Sequence, residues 1–453
     1  MFGSVLIANR GEIALRVART CRELGIRSIA VYSAADEDSA VVRFADEAVR
    51  IGPAAAKASY LYIPAVIEAA LKTGAEAVHP GYGFLSEEPD FAEVCASNGL
   101  TLIGPPADVI RKLGDKVEAR TLMAGTGMPL LPGSLEPVAA ADEARRIADG
   151  IGYPVILKPA AGGGGKGMQV VSEPGEFAWK YGETTRTALA LFGDARVYLE
   201  RYLNPARHVE IQVLCDTHGN GVHLGERDCS VQRRHQKLVE ETPAPGLDPE
   251  LLAEMGRVAV RSALAAGYVG AGTFEFLVGP DGAFSFMEVN SRIQVEHPVT
   301  EMVTGLDLVR EQIRIAAGLP LGFSQEDVVR RGCAIECRIN AEDPDRDFVP
   351  APGTLTEFVP AGGPFVRVDT HGYAGYRVPG AYDSLLAKLV VWAPDRAQAI
   401  ARMRRALGEF RISGPGISTT AGFLAELLDH PAFRSAAHST SLVDEIRSAS
   451  QAA

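Results

Sequence analysis

Short apolar runs alternate with amphipathic segments over roughly the first hundred residues of the chain. The runs lie at residues 4–8, 28–32, 48–51, 77–78 and 100–103. After the first run, apolar residues recur at helical spacing from Ile13 to Leu24, and Gly25 marks the expected end of that helix. Short strands that alternate with helices predict a parallel sheet with helices on its faces. Gly11 follows the first strand without a full Gly-x-Gly-x-x-Gly motif, so we expect a Rossmann-like domain without a dinucleotide of its own.

Turn-forming residues mark a boundary after this region, because Pro129, Pro132, Gly133 and Pro137 interrupt the periodic pattern. A small unit follows, with a predicted strand at residues 154–159. Beyond it the pattern predicts a hairpin, a helix at 306–317, strands at 334–339 and 384–392, and an amphipathic helix at 396–410. We therefore expect three regions, at residues 1–114, 115–330 and 331–445, with residues 131–203 as a subdomain of the second.

A tract of glycines follows directly after the predicted strand of the small unit. It reads Gly162-Gly163-Gly164-Gly165-Lys166-Gly167-Met168. Consecutive glycines cost backbone entropy when they become ordered, but they let backbone N–H groups approach phosphate oxygens closely. The tract is not a P-loop, since Met168 stands where that motif has a magnesium-binding hydroxyl. We expect a lid that closes over a nucleotide, and a flexible loop without a ligand is the alternative.

Two strand patterns, at residues 273–278 and 284–290, are separated by five turn-forming residues and predict a hairpin. If Val278 pairs with Ala283, then Glu275 lies opposite Phe286. Glu288 is in that case a diagonal neighbour of Glu275, with the backbones roughly 7–8 Å apart. Two carboxylates placed side by side repel each other on a purely structural face, so this arrangement favours a cation between them.

The alternation of polar and apolar residues continues beyond the hairpin. Glu288, Asn290, Arg292, Gln294 and Glu296 share one parity. The first two, together with the facing glutamate of the hairpin, suit a hard cation such as Mg²⁺. The planar fork of arginine suits carbonate-like oxygens, and a nearby carboxylate can remove a proton. A surface strand of mixed charge is the alternative.

Two further polar segments precede the hairpin. Residues 208–213 alternate strictly, which places His208, Glu210 and Gln212 on one strand face; an ordinary solvated face is the alternative. Residues 232–237 form a basic cluster that includes Gln232, His235 and Lys237. No aromatic residues are interleaved and Glu240-Glu241 follows at once, so a small phosphorylated anion fits this cluster better than nucleic acid.

Composition narrows the class of protein. The 453 residues are 47% hydrophobic and 23% charged, which is ordinary for a globular chain, and the net charge of −12 argues against nucleic acid or anionic lipid as a partner. No uncharged apolar run approaches the roughly 18 residues of a membrane span. The N-terminus shows no signal peptide, so we expect a cytoplasmic protein. Six scattered cysteines without a Cys-x-x-Cys motif predict reduced thiols rather than a zinc site.

Several long motifs together resemble one family. They are Ile7-Ala8-Asn9-Arg10-Gly11-Glu12-Ile13-Ala14, His79-Pro80-Gly81-Tyr82-Gly83-Phe84-Leu85-Ser86-Glu87, Arg207-His208-Val209-Glu210-Ile211-Gln212, Glu226-Arg227-Asp228-Cys229-Ser230 and Arg292-Ile293-Gln294-Val295-Glu296-His297-Pro298. They resemble biotin carboxylase of the ATP-grasp superfamily, over nearly the whole chain. The resemblance implies an α/β and α+β protein: an ATP-grasp fold at 115–330 with a lid at 131–203, an N-terminal Rossmann-like (pre-ATP-grasp) domain at 1–114 and a C-terminal biotin-carboxylase domain at 331–445.

The resemblance also implies a reaction and a role for each matching residue. ATP would phosphorylate bicarbonate to carboxyphosphate, whose carbon dioxide is captured by biotin on a separate protein. The ATP-binding residues would be Lys116, Lys158, Gly162, Gly163, Gly164, Gly165, Glu200, Leu203, His208, Gln232 and His235. The Mg²⁺ ligands (Mn²⁺ could replace Mg²⁺) would be Glu275, Glu288 and Asn290. Bicarbonate and biotin would meet Lys237, Arg292, Gln294, Val295, Glu296 and Arg338, with Glu296 as base and Arg338 on the biotin enolate.

The resemblance implies partners as well: a biotin carboxyl carrier protein, a carboxyltransferase subunit and a second copy of the chain. Arg19 and Glu23, spaced i and i+4 on one helix, could pair with each other or reach that copy. No Ala-Met-Lys-Met segment is present, so we expect a free-standing subunit of an acetyl-CoA carboxylase or a related acyl-CoA carboxylase.

Two positions depart from the commonest family pattern. Lys166 stands where arginine is frequent, which keeps the charge of the lid. Residues 380–384 read Gly-Ala-Tyr-Asp-Ser where a more aromatic or proline-rich segment is usual, which could alter dimer packing or biotin access. An ATP-grasp ligase with another acceptor and a nucleotide-binding regulatory subunit are the alternative functions.

Overall fold

The parallel sheet predicted at the N-terminus is present. The elements are β1 (Ser4–Ile7), α1 (Gly11–Glu23), β2 (Arg27–Ser33), α2 (Ala40–Phe44), β3 (Glu47–Gly52), α3 (Ile63–Thr73), β4 (Ala77–His79), α4 (Pro89–Ser97), β5 (Thr101–Leu102) and α5 (Ala107–Gly114). The strands pair in parallel in the order β3-β2-β1-β4-β5. The central strand β1 is buried along its whole length, as expected for a parallel sheet covered on both faces. Gly25 has a φ of +70°, the left-handed conformation that ends a helix at low cost.

The computed structural model describes residues 1–161 and 165–452, with side chains to residue 449. Gly162, Gly163 and Gly164 of the predicted lid lie outside the described residues. The small unit contains α6 (Lys116–Gly125), α7 (Ala141–Ile151), β6 (Val155–Pro159), β7 (Gln169–Val171), α8 (Phe177–Phe192) and β8 (Val197–Arg201). Its strands form an antiparallel sheet in the order β7-β6-β8, and β6 is the strand predicted at residues 154–159.

A second, antiparallel sheet begins with the polar strands. Its first elements are β9 (Arg207–Cys215), β10 (Gly221–Arg233), β11 (Gln236–Thr242), α9 (Pro249–Ala265), β12 (Gly270–Val278), β13 (Phe284–Asn290), α10 (His297–Thr304) and α11 (Leu308–Ala316). The predicted hairpin is the pair β12–β13, and α11 is the helix predicted at 306–317. Strand β9 does not present a solvated face, because His208, Glu210 and Gln212 are all buried.

The remaining elements extend the same sheet. They are β14 (Cys333–Asn340), β15 (Glu342–Asp343), β16 (Val349–Pro350), β17 (Glu357–Val359), β18 (Val366–Thr370), β19 (Leu385–Ala393), α12 (Arg396–Glu409), β20 (Arg411–Ser413), α13 (Ala421–Asp429), α14 (Pro431–Arg434) and α15 (Leu442–Ala452). The eight-stranded sheet runs β13-β12-β9-β10-β11-β14-β19-β18, so β11 and β14 pair across the boundary predicted at residue 330. The metal-site hairpin and Arg338 on β14 therefore belong to one sheet.

Two absences complete the fold. Within the described parts of the chain, no helix combines the length and apolar character that a membrane crossing requires. The six cysteines, all of them described, are free thiols, and five are buried.

Candidate active site

A chamber of about 990 Å³ gathers residues from the start of α1, the small unit, the eight-stranded sheet and the C-terminal segment. Sixteen of the predicted site residues line it: Lys116, Lys158, Gly165, Glu200, Leu203, His208, Gln232, His235, Lys237, Glu275, Glu288, Asn290, Arg292, Gln294, Val295 and Arg338. Glu296 is absent from the lining and is fully buried beneath it. The sequence thus identified residues that the fold brings together from segments more than 200 positions apart.

Lys237 is the centre of charge at the inner wall. Its Nζ donates hydrogen bonds to Glu210 Oε2 at 2.6 Å, Glu275 Oε1 at 2.9 Å and Glu296 Oε1 at 2.6 Å. Burial would lower the pKa of Lys237, but the three carboxylates outweigh it and raise that pKa well above its usual range. Each acid also has a second cationic partner: Arg227 for Glu210, His208 for Glu275 and Arg338 for Glu296. The cluster is therefore close to balanced in charge although it is almost dry.

The hairpin register differs from the prediction. Val278 pairs with Phe284 rather than Ala283, and a bulge beside Glu275 shifts the register once more. Glu275 consequently lies directly opposite Glu288, not opposite Phe286 with Glu288 on the diagonal. The turn was taken as one residue too short, and the bulge carries no signal in the sequence. The prediction that the two carboxylates share a face holds because the two errors offset each other.

The carboxylates of this pair fit a divalent cation. Glu275 and Glu288 are register partners, and the side-chain nitrogen of Asn290 donates to Glu275 Oε1 at 2.8 Å, so one carboxylate and one amide already meet. In the chain alone, lysines neutralise the pair: Lys116 Nζ donates to Glu288 Oε2 at 2.8 Å, and Lys237 contacts Glu275. Oxygen donors that converge on the chamber with cations already drawn to them are the donor set that Mg²⁺ prefers.

The polar run does not continue as a strand beyond Asn290. Residues 291–296 form a loop that leads into α10, so the shared parity of Arg292, Gln294 and Glu296 does not reflect a common strand face. The loop is fixed by Arg292, whose Nη1 donates to Gln294 Oε1 at 2.9 Å and whose Nε donates to Glu87 Oε2 at 2.8 Å. Glu87 also accepts the backbone N–H of Ser291 at 3.1 Å. The residues converge through side-chain contacts that periodicity does not encode.

Glu296 is held as a carboxylate. Lys237 Nζ donates to its Oε1, and Arg338 Nη2 donates to its Oε2 at 2.9 Å. Burial alone would raise the pKa of Glu296, but Lys237, Arg338 and Arg227 outweigh burial and hold that pKa well below its usual range. A carboxylate in this state accepts a proton only when its cations are drawn elsewhere.

Another pair of lysines marks the opposite end of the chamber. Lys158 Nζ donates to Glu200 Oε2 at 2.7 Å, and Arg120 Nη1 donates to Glu200 Oε1 at 2.5 Å. Lys116 stands at the first residue of α6, behind the Asp115 cap. Apolar side chains complete this end: Leu131, Ile156, Met168, Leu203, Leu277 and Met287. Cationic side chains beside an apolar slot suit a nucleotide, with phosphates at one side and a base at the other.

Sequence reasoning missed several residues at or under this wall. Arg120 is 1% exposed and shares a stripe of α6 with Val117 and Met123, so a charged residue within an apolar stripe was the available signal. Lys388 is 0% exposed in the apolar strand β19, where it donates to the backbone oxygen of Val295 at 2.8 Å. Glu87 lay inside a quoted motif but had no assigned role.

The segment that departs from the family pattern also reaches the chamber. Ala381, Tyr382, Asp383 and Ser384 line it. The Tyr382 hydroxyl donates to the backbone oxygen of Ala54 at 2.6 Å, and the Arg10 guanidinium lies 4.4 Å from the centre of its ring. These contacts tie residues 380–384 to the N-terminal domain at the end of the chamber away from the lysines. Gly380 itself is not part of the lining.

Three family models match consecutive parts of the chain. The N-terminal domain of biotin carboxylase matches residues 1–110, the ATP-binding domain of the carbamoyl-phosphate synthase L chain matches residues 115–324, and the C-terminal domain of biotin carboxylase matches residues 336–445. Biotin carboxylase from Nostoc sp. is 54% identical over 445 residues, 98% of this chain and 99% of the relative.

Solved structures agree in fold over the same length. The biotin carboxylase–β,γ-ATP complex from Campylobacter jejuni has a TM-score of 0.96 at 47% identity, covering 98% of this chain and 99% of that one. The biotin carboxylase domain dimer of 2-oxoglutarate carboxylase from Hydrogenobacter thermophilus, in complex with MgADP, ADP and bicarbonate, has a TM-score of 0.95 at 46% identity and covers 98% of both chains.

Proposed function

The chain belongs to the biotin carboxylase family, and from this premise we propose how its residues divide the reaction. It is an ATP-dependent ligase that carboxylates biotin with bicarbonate through carboxyphosphate, the first half-reaction of a carboxylase. One observation supports the division of roles proposed here: a single connected chamber holds the nucleotide-type lysines, the facing glutamates and the Lys237–Arg338 wall.

ATP and Mg²⁺ take part in this reaction. We assign the phosphates to Lys116, Lys158 and the lid from Gly162 to Gly165, and the nucleoside to Glu200, Leu203, His208, Gln232 and His235. Glu275, Glu288 and Asn290 would hold Mg²⁺, which supplies Lewis-acid neutralisation of phosphate charge. Phosphates would then draw Lys116 away from Glu288 and free that carboxylate for the metal.

We assign bicarbonate to Lys237, Arg292, Gln294 and the backbone of Val295. An anion between Lys237 and Arg292 competes for the cations that now hold Glu296 ionised. The proton affinity of Glu296 therefore rises when substrate binds, so that it can take the proton of bicarbonate and leave a better nucleophile for the γ-phosphorus of ATP.

Arg338 completes the reaction at the biotin side. Carbon dioxide released from carboxyphosphate is attacked by the ureido nitrogen of biotin, and negative charge develops on the ureido oxygen. A fixed guanidinium aimed at that oxygen stabilises the charge in a partly dry chamber. The segment from Ala381 to Ser384, at the same end as Arg10, would shape the route by which biotin arrives.

The partners follow from the family. A biotin carboxylase acts with a biotin carrier and a carboxyltransferase, and we propose a separate carrier protein and carboxyltransferase subunit for this chain, which would itself form a homodimer. Arg19 and Glu23 are exposed on α1, and among the described residues no ion pair joins them, which leaves both free to meet a second copy. Relatives named for different carboxylases match equally well, so the acceptor of the second half-reaction is left open.

ADP release tests the proposal. We expect it to require bicarbonate and Mg²⁺ and to rise when free biotin is added. Turnover that ignores biotin would favour an ATP-grasp ligase with another acceptor. ATP binding without any turnover would favour a regulatory subunit. Either result would contradict the assignment.

A further inference from the structure

Two buried glutamates lie beneath Arg338 and have no part in the reaction as assigned above. Glu240 on β11 and Glu336 on β14 are register partners, and both are 0% exposed. Arg338 Nε donates to Glu240 Oε1 at 2.6 Å. Among the described residues, the other oxygen of Glu240 and both carboxyl oxygens of Glu336 have no hydrogen-bond partner. Two carboxylates this close to each other, with so little hydrogen bonding, need a reason to be kept.

The Arg338 guanidinium is held from two sides. Nε is fixed by Glu240 and Nη2 by Glu296, while in the described part of the chain Nη1 donates to no protein acceptor. Arg338 lines the chamber and both of its acids are buried behind it. The two carboxylates therefore fix the plane of the guanidinium and leave Nη1 for a ligand.

The two anchors are not equivalent. Glu296 is the assigned base, so its charge is lost when it accepts a proton. Glu240 remains as the anchor of Arg338 at that moment. Its charge also competes with Glu296 for the same guanidinium, which weakens the grip of Arg338 on Glu296.

We propose that Glu240 is a positioning residue for the biotin half of the reaction, which keeps Arg338 aimed into the chamber while Glu296 changes charge, and that Glu336 beneath it is a neutral acid. The proposal rests on the proposed function, because it needs Arg338 to meet biotin.

The neighbours explain why one acid of the pair is neutral. The charged groups around it are Glu296, Lys237, Arg338 and Lys388, and the cations are fully used by other acids and by the backbone oxygen of Val295. Burial raises the pKa of Glu336 well above its usual range, and the charge of Glu240 adds to this, against Lys388. Burial likewise raises the pKa of Glu240 to about 7, although Arg338 opposes it. A buried pair with one proton avoids the cost of two adjacent bare charges.

Glu240→Gln tests the positioning role, with Glu241→Gln as the matched control. Glu241 is the next residue of β11, equally buried, and its partner is Arg396, to which it is joined at 2.6 Å away from the chamber. We expect Glu240→Gln to lower the biotin-dependent kcat about 10- to 100-fold, as misplacement of a catalytic group does. The KM for ATP should change little. Glu241→Gln should keep the biotin-dependent kcat even if it unfolds at a lower temperature.

Glu336→Gln mimics a neutral acid and should keep both the melting temperature and the biotin-dependent kcat of the wild type; a large loss of either would show that Glu336 is charged. If Glu240→Gln does not fold, the same change is made in an Arg338→Gln background, where no buried charge is left without a partner. There it should add no further loss, because Glu240 acts only through Arg338.

A further loss in that background, or a Glu240→Gln variant with the biotin-dependent kcat of the wild type, would overturn the proposal. A wild-type protein without biotin-stimulated ADP release would instead remove the proposed function, before any variant is compared.

Discussion

Replacing Lys237 by Met should both destabilise the protein and abolish turnover. Met keeps the apolar stem but removes the ammonium that contacts Glu210, Glu275 and Glu296. Removing one partner of a buried ion pair destabilises by about 3–5 kcal/mol. The lower end applies here, because each acid keeps a second cationic partner. At about 2–4 °C per kcal/mol for an unfolding unit of 150–250 residues, the melting temperature should fall by about 6–12 °C.

The effect should depend on pH with a definite sign. Lys237 depresses the pKa of Glu275 and of Glu296, so both acids stabilise the fold above an unfolded pKa of about 4.3 and lose that effect as pH falls through their folded pKa. The raised pKa of Lys237 stabilises the fold below about pH 10.4. The variant lacks this stabilisation, and its acids take up protons more readily. The gap in melting temperature should therefore be widest near pH 7.5 and narrower at pH 5.

Differential scanning calorimetry at both pH values, together with ADP release, checks this. Lys72→Met is the control, because Lys72 forms an exposed pair with Glu68 and its loss should not be measurable. A Lys237→Met variant that melts with the wild type at pH 7.5 would refute the reasoning that this ammonium balances the buried acids.

Three further outcomes follow from the same contacts. Glu296→Gln should keep ATP binding by calorimetry but lower bicarbonate-dependent turnover about 10²–10⁴-fold, and activity like that of the wild type would place the base elsewhere. Glu288→Gln should raise the Mg²⁺ concentration for half-maximal rate, since a metal ligand is weakened; an unchanged titration would remove Glu288 from the metal site. Arg120→Met should raise the KM for ATP, because Glu200 would then hold Lys158 alone, and should lower the melting temperature through a loss of about 3 kcal/mol. An unchanged KM would separate Arg120 from the nucleotide end.

The sequence predicted the elements of the fold well where hydrophobic periodicity is strong. The parallel sheet, the β12–β13 hairpin and α12 appear close to their predicted bounds, because their apolar faces are buried in single cores. The division into three regions stays a prediction, since strand pairing continues across residue 330. Parity failed after Asn290, where a loop replaces the strand, because contacts with Glu87 decide its path and lie about 200 residues away in the chain.

The site residues were located mainly by the family resemblance rather than by spacing. Spacing identified Glu275 and Glu288, although with a register that a bulge corrects. It gave no reason to single out Lys388 or Arg120, whose roles arise only from buried partners in distant elements. Charged residues inside otherwise apolar stripes were the signal for both, and such residues repay attention in any sequence of this kind.

The shared eight-stranded sheet limits how the protein can be divided. A fragment ending near residue 330 would lose β14, and β11 would become an unprotected edge from Val239 to Thr242. Exposed edges of this kind recruit other strands, so such a fragment should aggregate rather than persist as an inactive nucleotide-binding piece. Shuffling of segments between relatives would have to keep β11 and β14 from the same parent, and the natural joint for such a graft lies elsewhere, at the loop between β5 and α5.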